Sequence, residues 1–463
     1  MLSFIRNQRQ EIVVVYLILA AVLIFRCILL TSVARDKDWS EVLIGDCQRD
    51  IEPAKALLQY GFLADSLETP EVPEITGTPL YPLFLAVFFR WFKEPFFYIG
   101  LAQIIFSIVT LLCVFLIARS LWNDTVGLIA IVLLSCDIPS HAFSIYVHTE
   151  TLFTCFIVLA VLAGVRLQLK GNVIQQGLLM GCAIALATLV RPISYFLIMP
   201  VIAGFFIWGL RHRMRSGRLV LMLLMVFLPS LILIGGWKIR NFVHTGSFQY
   251  SYTKGDVLYS RAIDVLEVKH NISESQARER FEEFLGDTSK LSGLEKNDLN
   301  SKIGLEIILK DPLIFLRNDC VGLLKMLFIP SEGSFLEIFG CFPSDSDNFK
   351  SGCLGDLTRL SPSGYMQKWL VRHPYHFLLF IISMLGLGIF YSGVLLGLKD
   401  SLREAGEHRW AHLFIWGVIA YFMMFSAGSA CARFRIPIMP LLAVYAGYGI
   451  FNVVQIVRNI QQK

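Results

Sequence analysis

The sequence predicts an all-α polytopic membrane protein, a bundle of about ten transmembrane helices. Of its 463 residues, 55% are hydrophobic and only 17% are charged, whereas soluble domains carry about 25% charged residues. The mean hydropathy is +0.61, and the charges separate apolar runs of the length that a membrane-crossing helix needs, about 20 residues. The formal net charge of +5 is too small and too dispersed for a nucleic-acid-binding protein.

The first apolar run, residues 12–34, is interrupted by Arg26, which either pairs within the bundle or extends towards the membrane surface. Its apolar stretch is longer than a signal-peptide core of about 7–15 residues. We therefore interpret it as a retained helix rather than a cleaved leader. The other nine predicted spans are 96–118, 125–147, 150–168, 172–190, 192–210, 219–237, 375–398, 410–430 and 436–457.

The stretch Pro79–Phe92 is apolar but short, and it contains two prolines. Short cytoplasmic loops are enriched in Lys and Arg. With ten spans and a cytoplasmic N-terminus, the cluster Arg211, Arg213, Arg215 and Arg218 lies inside. Because one more span at Pro79–Phe92 would export this cluster, we expect a re-entrant or interfacial helix on the outer side.

This topology divides the chain into three regions. Residues 1–237 form an N-terminal transmembrane module with a first outer loop at 35–95. Residues 238–374 form a large outer loop with helical segments, and residues 375–463 form the C-terminal transmembrane helices. Within the large loop, the apolar Pro312–Pro330 is expected to be interfacial. An additional span there would reverse the orientation of every helix that follows it. Both termini are then cytoplasmic.

Two of the ten cysteines, Cys341 and Cys353, flank a turn-rich stretch of the large outer loop. In an oxidising compartment they can form a disulfide, and the sequence leaves open whether they do. No Cys or His spacing typical of a zinc site is present.

Ionisable and polar side chains gather at the predicted outer ends of several spans. Each has a structural alternative: an Asp can solvate an outer helix, Glu150 can belong to a structural ion pair, and an Arg can anchor at the lipid interface. Charged groups near membrane depth are nevertheless functional candidates by default. The set comprises Asp46, Asp50, His148, Glu150, Arg191, Lys238, Arg240, Asn241, Arg433 and Arg435.

Carboxylates and arginines on one membrane surface suit sugar transfer from a lipid phosphate. A carboxylate can accept the proton of an acceptor hydroxyl as that hydroxyl attacks the anomeric carbon. Arginines can bind the phosphate and stabilise the charge that develops on it as it leaves. An apolar groove between spans can hold the polyprenyl tail.

The motifs also follow a known family pattern from about residue 46 to 450. The chain resembles the polyprenyl-phosphate-sugar-dependent glycosyltransferases of the GT-C superfamily. Within this superfamily, its motifs look most like those of the bacterial branch that is similar to protein O-mannosyltransferases and the lipid A aminoarabinose transferase. The motifs are Asp46 with Ala54 eight residues on and Gly61 after the helix, Pro79-Leu80-Tyr81-Pro82, Thr149-Glu150, Arg191-Pro192, Trp237-x-x-Arg240-Asn241, and Arg433-Phe434-Arg435-x-Pro437.

The resemblance implies a GT-C fold with outer juxtamembrane helices over a cavity at the membrane surface. It implies an inverting hexosyl- or pentosyltransferase whose donor is a sugar on undecaprenyl or dolichyl phosphate, and whose acceptor is a lipid, a glycan or a protein. The enzyme is expected in the bacterial inner membrane, with its active site on the outer side. No cofactor is expected, and a divalent metal is possible without being required.

The resemblance also assigns roles to individual residues. Asp46 and Glu150 are the predicted catalytic residues, Asp46 as the general base and Glu150 as a residue that lines the acceptor or donor pocket. The arginines predicted to bind the donor phosphate are Arg191, Arg240, Arg433 and Arg435. Further pocket candidates are Asp50, Tyr81, His148, Lys238, Asn241 and Lys254.

Other functions stay open at this stage. A transporter or lipid flippase predicts carboxylates near mid-membrane and broken helices in corresponding halves, whereas these acids lie at the outer ends of spans. A polymerase or ligase of lipid-linked glycans is chemically close to a glycosyltransferase. A structural scaffold gives no reason for the convergence of polar groups.

Overall fold

A computed structural model of the chain describes residues 2–36, 39, 47–169, 171–288, 291, 293–330, 364, 368, 374–403, 408–429 and 431–462. These residues are largely helical, and an isolated bridge between Ala64 and Pro73 is their one β-type pairing. Eight of the described helices are long and apolar enough to cross a membrane, by length and composition. The predicted fold class is therefore confirmed, and the protein is an integral membrane protein.

The helices of the N-terminal half alternate long apolar segments with shorter ones. They are α1 Leu2–Asp36, α2 Gln48–Tyr60, α3 Leu80–Trp91, α4 Pro95–Leu121, α5 Asp124–Ser135, α6 Ile138–Phe143, α7 Glu150–Gln168, α8 Val173–Val190, α9 Ile198–Arg211 and α10 Ser216–Thr245. A 3₁₀ turn at Pro192–Ser194 separates α8 from α9.

Four amphipathic helices follow, and then three long apolar ones. They are α11 Thr253–His270, α12 Glu274–Leu285, α13 Gly293–Lys310, α14 Pro312–Phe328, α15 Pro374–Arg403, α16 Arg409–Ser426 and α17 Met439–Gln461. Two 3₁₀ turns, Ala427–Ser429 and Ala432–Arg435, connect α16 to α17.

The predicted span at residues 125–147 is wrong as a continuous helix. The apolar run breaks after α5, because Asp137 accepts hydrogen bonds from the backbone N–H and the hydroxyl of Ser140 and so begins α6. Pro139 in the first turn of α6 has no N–H with which to continue a helix from α5. At 1.5 Å per residue, the twelve residues of α5 extend only about 18 Å, which is shorter than a bilayer core.

The centre of the bundle is formed by α7, which packs against α4 and α8, while α8 packs against α10. On the other side, α17 packs against α4, α5 and α15. Most of α7 is buried, as expected for a helix that is apolar on every face. This packing brings the starts of α7 and α17 close to the ends of α8 and α16.

Arg26 points into the bundle and is 2% exposed. Its Nε lies 3.1 Å from Nδ1 of His141 in α6, and the ring Nε2 of His141 lies 2.8 Å from the carbonyl oxygen of Ser135. Of the two possibilities that the sequence left open for Arg26, the structure therefore supports burial within the bundle.

The amphipathic helices α11, α12 and α13 enclose a second, smaller core around Ala262, Leu266, Phe281 and Ile307. A capping box at Ser273 begins α12. The segment predicted to be interfacial forms α14, and the short Pro79–Phe92 stretch forms α3. The turn that contains Cys341 and Cys353 lies outside the described residues, so their pairing stays an open prediction.

Candidate functional site

A cavity of about 620 Å³ opens at the end of the bundle where α7, α11 and α17 begin and α8, α10 and α16 end. Seven predicted site residues line it, namely Asp50, His148, Glu150, Arg191, Lys238, Lys254 and Arg433. Phe434, from the Arg-Phe-Arg motif, also lines it. Other lining residues, which were not predicted from the sequence, include Arg49, Thr78, Tyr195, Phe248, Ser251 and Thr253.

Glu150, the first residue of α7, is 1% exposed and contacts two arginines. Its Oε1 lies 2.6 Å from Nη1 of Arg191 and 3.0 Å from Nε of Arg433. The Arg191 contact is an aligned hydrogen bond, whereas the Arg433 contact has ion-pair distance without hydrogen-bond alignment. Glu150 Oε2 has no hydrogen-bond partner among the described residues. One carboxylate thus binds two guanidinium groups at the wall of the cavity.

The local sequence explains the position of Arg191. It ends α8 with an extended backbone, and its N–H still donates to the carbonyl of Ala187. The following Pro192 disfavours the helical conformation at Arg191 and begins a 3₁₀ turn. The guanidinium carbon of Arg191 lies 5.8 Å from the ring centroid of Phe153 and 5.4 Å from that of Phe434, so two aromatic faces also support it.

Arg433 and Arg435 share one 3₁₀ turn but have different environments. Arg435 is 1% exposed and does not line the cavity. Its Nη1 donates to the carbonyl oxygens of Met326, Leu327 and Ile329, at the end of α14. A cation at these carbonyls is favoured by the helix dipole. Arg435 was predicted to bind phosphate, but the structure gives it a structural contact that fixes the turn containing Arg433.

A second contact holds the same segment against the amphipathic helices. Arg261 of α11 forms an ion pair with Asp319 of α14. The guanidinium of Arg261 occupies the space in which a Cβ of Gly428 would lie, and a Cβ on Gly322 would meet the carbonyl oxygen of Ala427. Only glycine fits at Gly428 without displacing Arg261. Residues 427–429 and 431–435 are therefore held by α11 and α14 together.

The Trp-x-x-Arg-Asn motif supports the cavity wall instead of facing the cavity. Trp237 Nε1 donates to the carbonyl of Tyr250 at 3.1 Å. Asn241 is fully buried, and its Nδ2 donates to the carbonyls of Gln249 and Tyr250 at 3.1 and 3.2 Å. Arg240 was predicted to bind phosphate, and it does not line the cavity. Trp237 and Asn241 thus hold the stretch that carries the lining residues Phe248, Gln249, Tyr250, Ser251 and Thr253.

Arg240 instead anchors the loop before α3. Its Nη1 donates to the carbonyl of Glu74 at 2.5 Å and its Nη2 to the carbonyl of Leu63 at 2.7 Å. Within this loop the Glu74 carboxylate accepts a hydrogen bond from the Gly77 N–H. Burial, opposed by the hydrogen bond from Gly77 and assisted by the neighbouring Asp65 carboxylate, raises the pKa of Glu74 to about 7. Glu74 is thus partly protonated at neutral pH.

Tyr81, another predicted pocket residue, is fully buried in α3 and does not line the cavity. Its hydroxyl donates to Oε1 of Gln103 at 2.9 Å, and Gln103 Nε2 donates to the carbonyl of Tyr146 at 2.8 Å. The Pro-Leu-Tyr-Pro motif therefore connects α3 to the buried core near α7.

Lys238 is the one predicted residue of α10 that faces the cavity. Its Nζ lies 3.4 Å from the hydroxyl of Tyr195 and 4.5 Å from the ring centroid of Phe248. Arg49, next to Asp50 in the first turn of α2, is an exposed cation at the cavity that the sequence analysis missed. Its proximity to Asp50 in sequence was the signal that could have identified it.

Asp46, the predicted general base, lies outside the described residues. In the described part of the chain, no group of three or more His, Cys, Asp or Glu side chains could hold a metal ion. The expectation that no metal is required therefore stays a prediction.

Comparison with known proteins supports the resemblance drawn from the motifs. Residues 76–233 match the model of the family described as dolichyl-phosphate-mannose-protein mannosyltransferase. The predicted resemblance is confirmed. The matched range includes the cavity residues Gly77, Thr78, Glu150 and Arg191, whereas Arg433 lies beyond it. No curated protein sequence gives a significant match.

Two solved structures are similar along most of the chain. The archaeal oligosaccharyltransferase AglB from Archaeoglobus fulgidus, in complex with an inhibitory peptide and a dolichol-phosphate, is 13% identical with a TM-score of 0.49. The match covers 96% of this chain and 51% of AglB, so this chain spans about half the length of AglB. ArnT from Cupriavidus metallidurans, bound to undecaprenyl phosphate, is 15% identical with a TM-score of 0.40. That match covers 94% of this chain and 75% of ArnT.

Proposed function

We propose that this protein is a glycosyltransferase that moves a sugar from a polyprenyl-phosphate donor to an acceptor hydroxyl, with inversion at the anomeric carbon. The observation that carries the proposal is the pair Arg191 and Arg433, held by one buried carboxylate at the wall of a 620 Å³ cavity. The family model matched by residues 76–233 names a dolichyl-phosphate-mannose donor, which supports a lipid phosphate as the donor group.

The two arginines suit a phosphate that gains charge. A polyprenyl-phosphate sugar is a phosphodiester with one negative charge, and the departing polyprenyl phosphate carries up to two. Guanidinium groups that are already fixed can stabilise this added charge without reorganising. Glu150 holds Arg191 and Arg433 in place and offsets one of their charges, which leaves one positive charge for the donor. We therefore assign Glu150 to positioning rather than to proton transfer.

We assign the role of general base to Asp46, on the strength of the family resemblance. An inverting reaction needs one base to accept the proton of the acceptor hydroxyl. It needs no acid for the leaving group, because a phosphate leaves readily as an anion. Asp50, which lines the cavity four residues further on, is the alternative carboxylate that an experiment must separate from Asp46.

A second, apolar cavity gives a place for the polyprenyl tail. It measures about 150 Å³ and lies between α9 and α16, with Leu197, Phe205, Phe414 and Val418 among its lining residues. Both cavities border α16, since Phe425 lines the larger one, and Phe196, two residues before α9, lines the larger one as well. A lipid phosphate in the large cavity can thus extend its tail along an apolar path.

We place the active site on the outer face of the bacterial inner membrane, with both termini in the cytoplasm. Four arginines lie where α9 ends and α10 begins, away from the cavity: Arg211, Arg213, Arg215 and Arg218. Such clusters favour the cytoplasmic side. A Met214→Cys variant, made in a background in which the native cysteines are changed to serine because Cys136, Cys320 and Cys431 are exposed, should react with a membrane-impermeant maleimide only after the cells are opened. Labelling of intact cells would reverse this orientation.

The position of Glu150 also weighs against a transporter. A transporter predicts ionisable groups near the middle of its spans, whereas Glu150 begins α7 and lies at the cavity at the end of the bundle. A glycan polymerase or ligase differs from the proposed enzyme mainly in its acceptor.

The deciding experiment incubates the purified protein in lipid nanodiscs with a panel of polyprenyl-phosphate sugars. We expect one donor to release polyprenyl phosphate by transfer or slow hydrolysis. Arg191→Ala should abolish the release, whereas Arg317→Ala, a change of an exposed arginine on α14 that does not line the cavity, should leave it intact. Equal turnover by the Arg191→Ala variant, or no turnover of any donor, would contradict the proposal.

A further inference from the structure

The large cavity carries more positive charge than the proposed donor can neutralise. Among its lining residues, five are basic (Arg49, Arg191, Lys238, Lys254 and Arg433) and two are acidic (Asp50 and Glu150), an excess of three. A polyprenyl-phosphate sugar adds one negative charge, and the Asp46 carboxylate can add one more. After these two, the described lining residues still carry an excess of one positive charge.

The arginines and lysines occupy different surroundings in this cavity. Arg191 and Arg433 both contact Glu150, which ties them to the start of α7. Lys238 belongs to α10 and Lys254 to the first turn of α11, and neither forms an ion pair with a described carboxylate. Glu150 thus does not neutralise the positive charges of the two lysines, which lie on other walls of the cavity.

Lys238 is the more informative of the two. It lies near the end of a membrane-spanning helix and is half-buried. Its neutral neighbours are the Tyr195 hydroxyl at 3.4 Å and the Phe248 ring at 4.5 Å. A partly desolvated ammonium costs free energy unless an anion joins it, and an aromatic face compensates only part of that cost. A ligand that supplies an anion at this position would therefore be favoured.

We propose that the cavity contains a second anionic subsite, in which Lys238 and Lys254 bind a phosphate or carboxylate group of the acceptor. This inference rests on the proposed glycosyltransferase function, since it assigns the donor phosphate to Arg191 and Arg433. The acceptor is then a negatively charged molecule, with its anionic group apart from the hydroxyl that reacts.

Binding of matched small molecules tests the subsite. The full chain in nanodiscs, with and without saturating undecaprenyl phosphate, is titrated with methyl glucuronide against methyl glucoside, and with glucose 6-phosphate against glucose. We expect the wild-type protein to bind at least one anionic member about tenfold more tightly than its neutral partner, a difference of about 1.4 kcal/mol. The preference should weaken as salt rises.

Variants assign the preference to the two lysines. Lys238→Gln and Lys254→Gln should each reduce it, and the double variant should bring the ratio close to one. The control Lys302→Gln, which changes an exposed lysine of α13 that does not line the cavity, should leave the ratio unchanged. Equal binding of charged and neutral members by the wild type, or a preference that survives in the double variant, would overturn the proposal.

Titration with undecaprenyl phosphate alone separates this proposal from the previous one. If the lysine double variant loses affinity for undecaprenyl phosphate as much as for the small anions, the lysines serve the donor and the acceptor subsite is wrong. If undecaprenyl phosphate fails to bind the wild type, the proposed donor is wrong. The small-anion titration without lipid then still reports on the lysines.

Discussion

Nη1 of Arg191 lies 2.6 Å from Oε1 of Glu150, and this contact joins the end of α8 to the start of α7. Both groups are removed from water, since Glu150 is 1% exposed and the Arg191 side chain 15%. Removing one member of a buried ion pair leaves an uncompensated charge, whereas keeping a hydrogen-bonding group in its place costs less. The pair can therefore be tested by substitutions that separate charge from shape.

Glu150→Gln keeps the shape and one hydrogen-bond acceptor but removes the charge that holds Arg191 and Arg433. We expect the variant to fold, with unfolding free energy lower by about 1–3 kcal/mol, and turnover of the donor to fall at least about tenfold. Glu150→Ala should lose about 3–5 kcal/mol. Thermal unfolding and donor turnover measure both effects. Wild-type turnover by Glu150→Gln would show that the carboxylate does not position the arginines.

Arg191→Lys and Arg433→Lys keep the charge but remove the planar group that can donate two parallel hydrogen bonds to a phosphate. Each variant should bind undecaprenyl phosphate about tenfold to a hundredfold more weakly, because a hydrogen bond to a charged group contributes about 1.5–3 kcal/mol. Equilibrium binding of the radiolabelled lipid in nanodiscs provides the measurement. Arg317→Lys is the matched control. Unchanged affinity in both cavity variants would remove the arginines from the donor site.

Gly428→Ala should destabilise the protein because the new methyl group displaces the Arg261 side chain, and not because of backbone strain at residue 428. The added Cβ would occupy the space of the Arg261 guanidinium, and overpacking of this kind costs about 1–3 kcal/mol. In the Arg261→Ala background the same change should cost much less, so the double-mutant cycle should show a coupling above about 0.5 kcal/mol. Gly417→Ala in α16, where nothing lies near the new Cβ, should not destabilise. Additive effects of Gly428→Ala and Arg261→Ala would contradict the contact.

Glu74 should make stability depend on pH in an unusual direction. Its pKa is about 7 in the folded protein against about 4.3 in an unfolded chain, so the folded state binds the proton more tightly. Stability from this group is then fully present below about pH 4 and is lost as the pH rises through 7. Glu74→Gln should flatten the profile between pH 5 and 8 by about 2 kcal/mol. The free energy of unfolding, measured across this pH range, tests the prediction, and the exposed Glu68→Gln is the control. If the pH dependence of stability were the same in Glu74→Gln as in the wild type, Glu74 would not be its source.

Eight of the ten predicted spans match described helices that are long and apolar enough to cross a membrane, because about 20 apolar residues leave a chain few alternatives in a bilayer. The span predicted at 410–430 corresponds to α16, which is not among these eight. The prediction failed at residues 125–147, where the apolar run continues through a break that depends on Asp137 capping a new helix. The sequence also placed Glu150, Arg191 and Arg433 close together, and all three line the cavity, since they lie at the same end of the bundle.

The roles of Arg240 and Arg435 could not be predicted in the same way. Both arginines lie close to cavity residues in sequence, yet their guanidinium groups donate to backbone carbonyls of segments far away along the chain. Arg240 donates to Leu63 and Glu74, and Arg435 donates to the end of α14. Proximity in sequence does not tell whether a guanidinium binds a ligand or a carbonyl. That distinction depends on which loops pack beside it, and the motif alone does not contain this information.

Asp46→Asn tests the base without removing the donor site. If Asp46 accepts the proton of the acceptor hydroxyl, the variant should lose transfer by at least about a hundredfold, the usual contribution of general base catalysis. It should still bind undecaprenyl phosphate with wild-type affinity, because the phosphate is assigned to Arg191 and Arg433. Asp50→Asn, in which the neighbouring carboxylate is changed, should retain measurable transfer. Full activity of Asp46→Asn together with loss of activity in Asp50→Asn would move the role of base to Asp50.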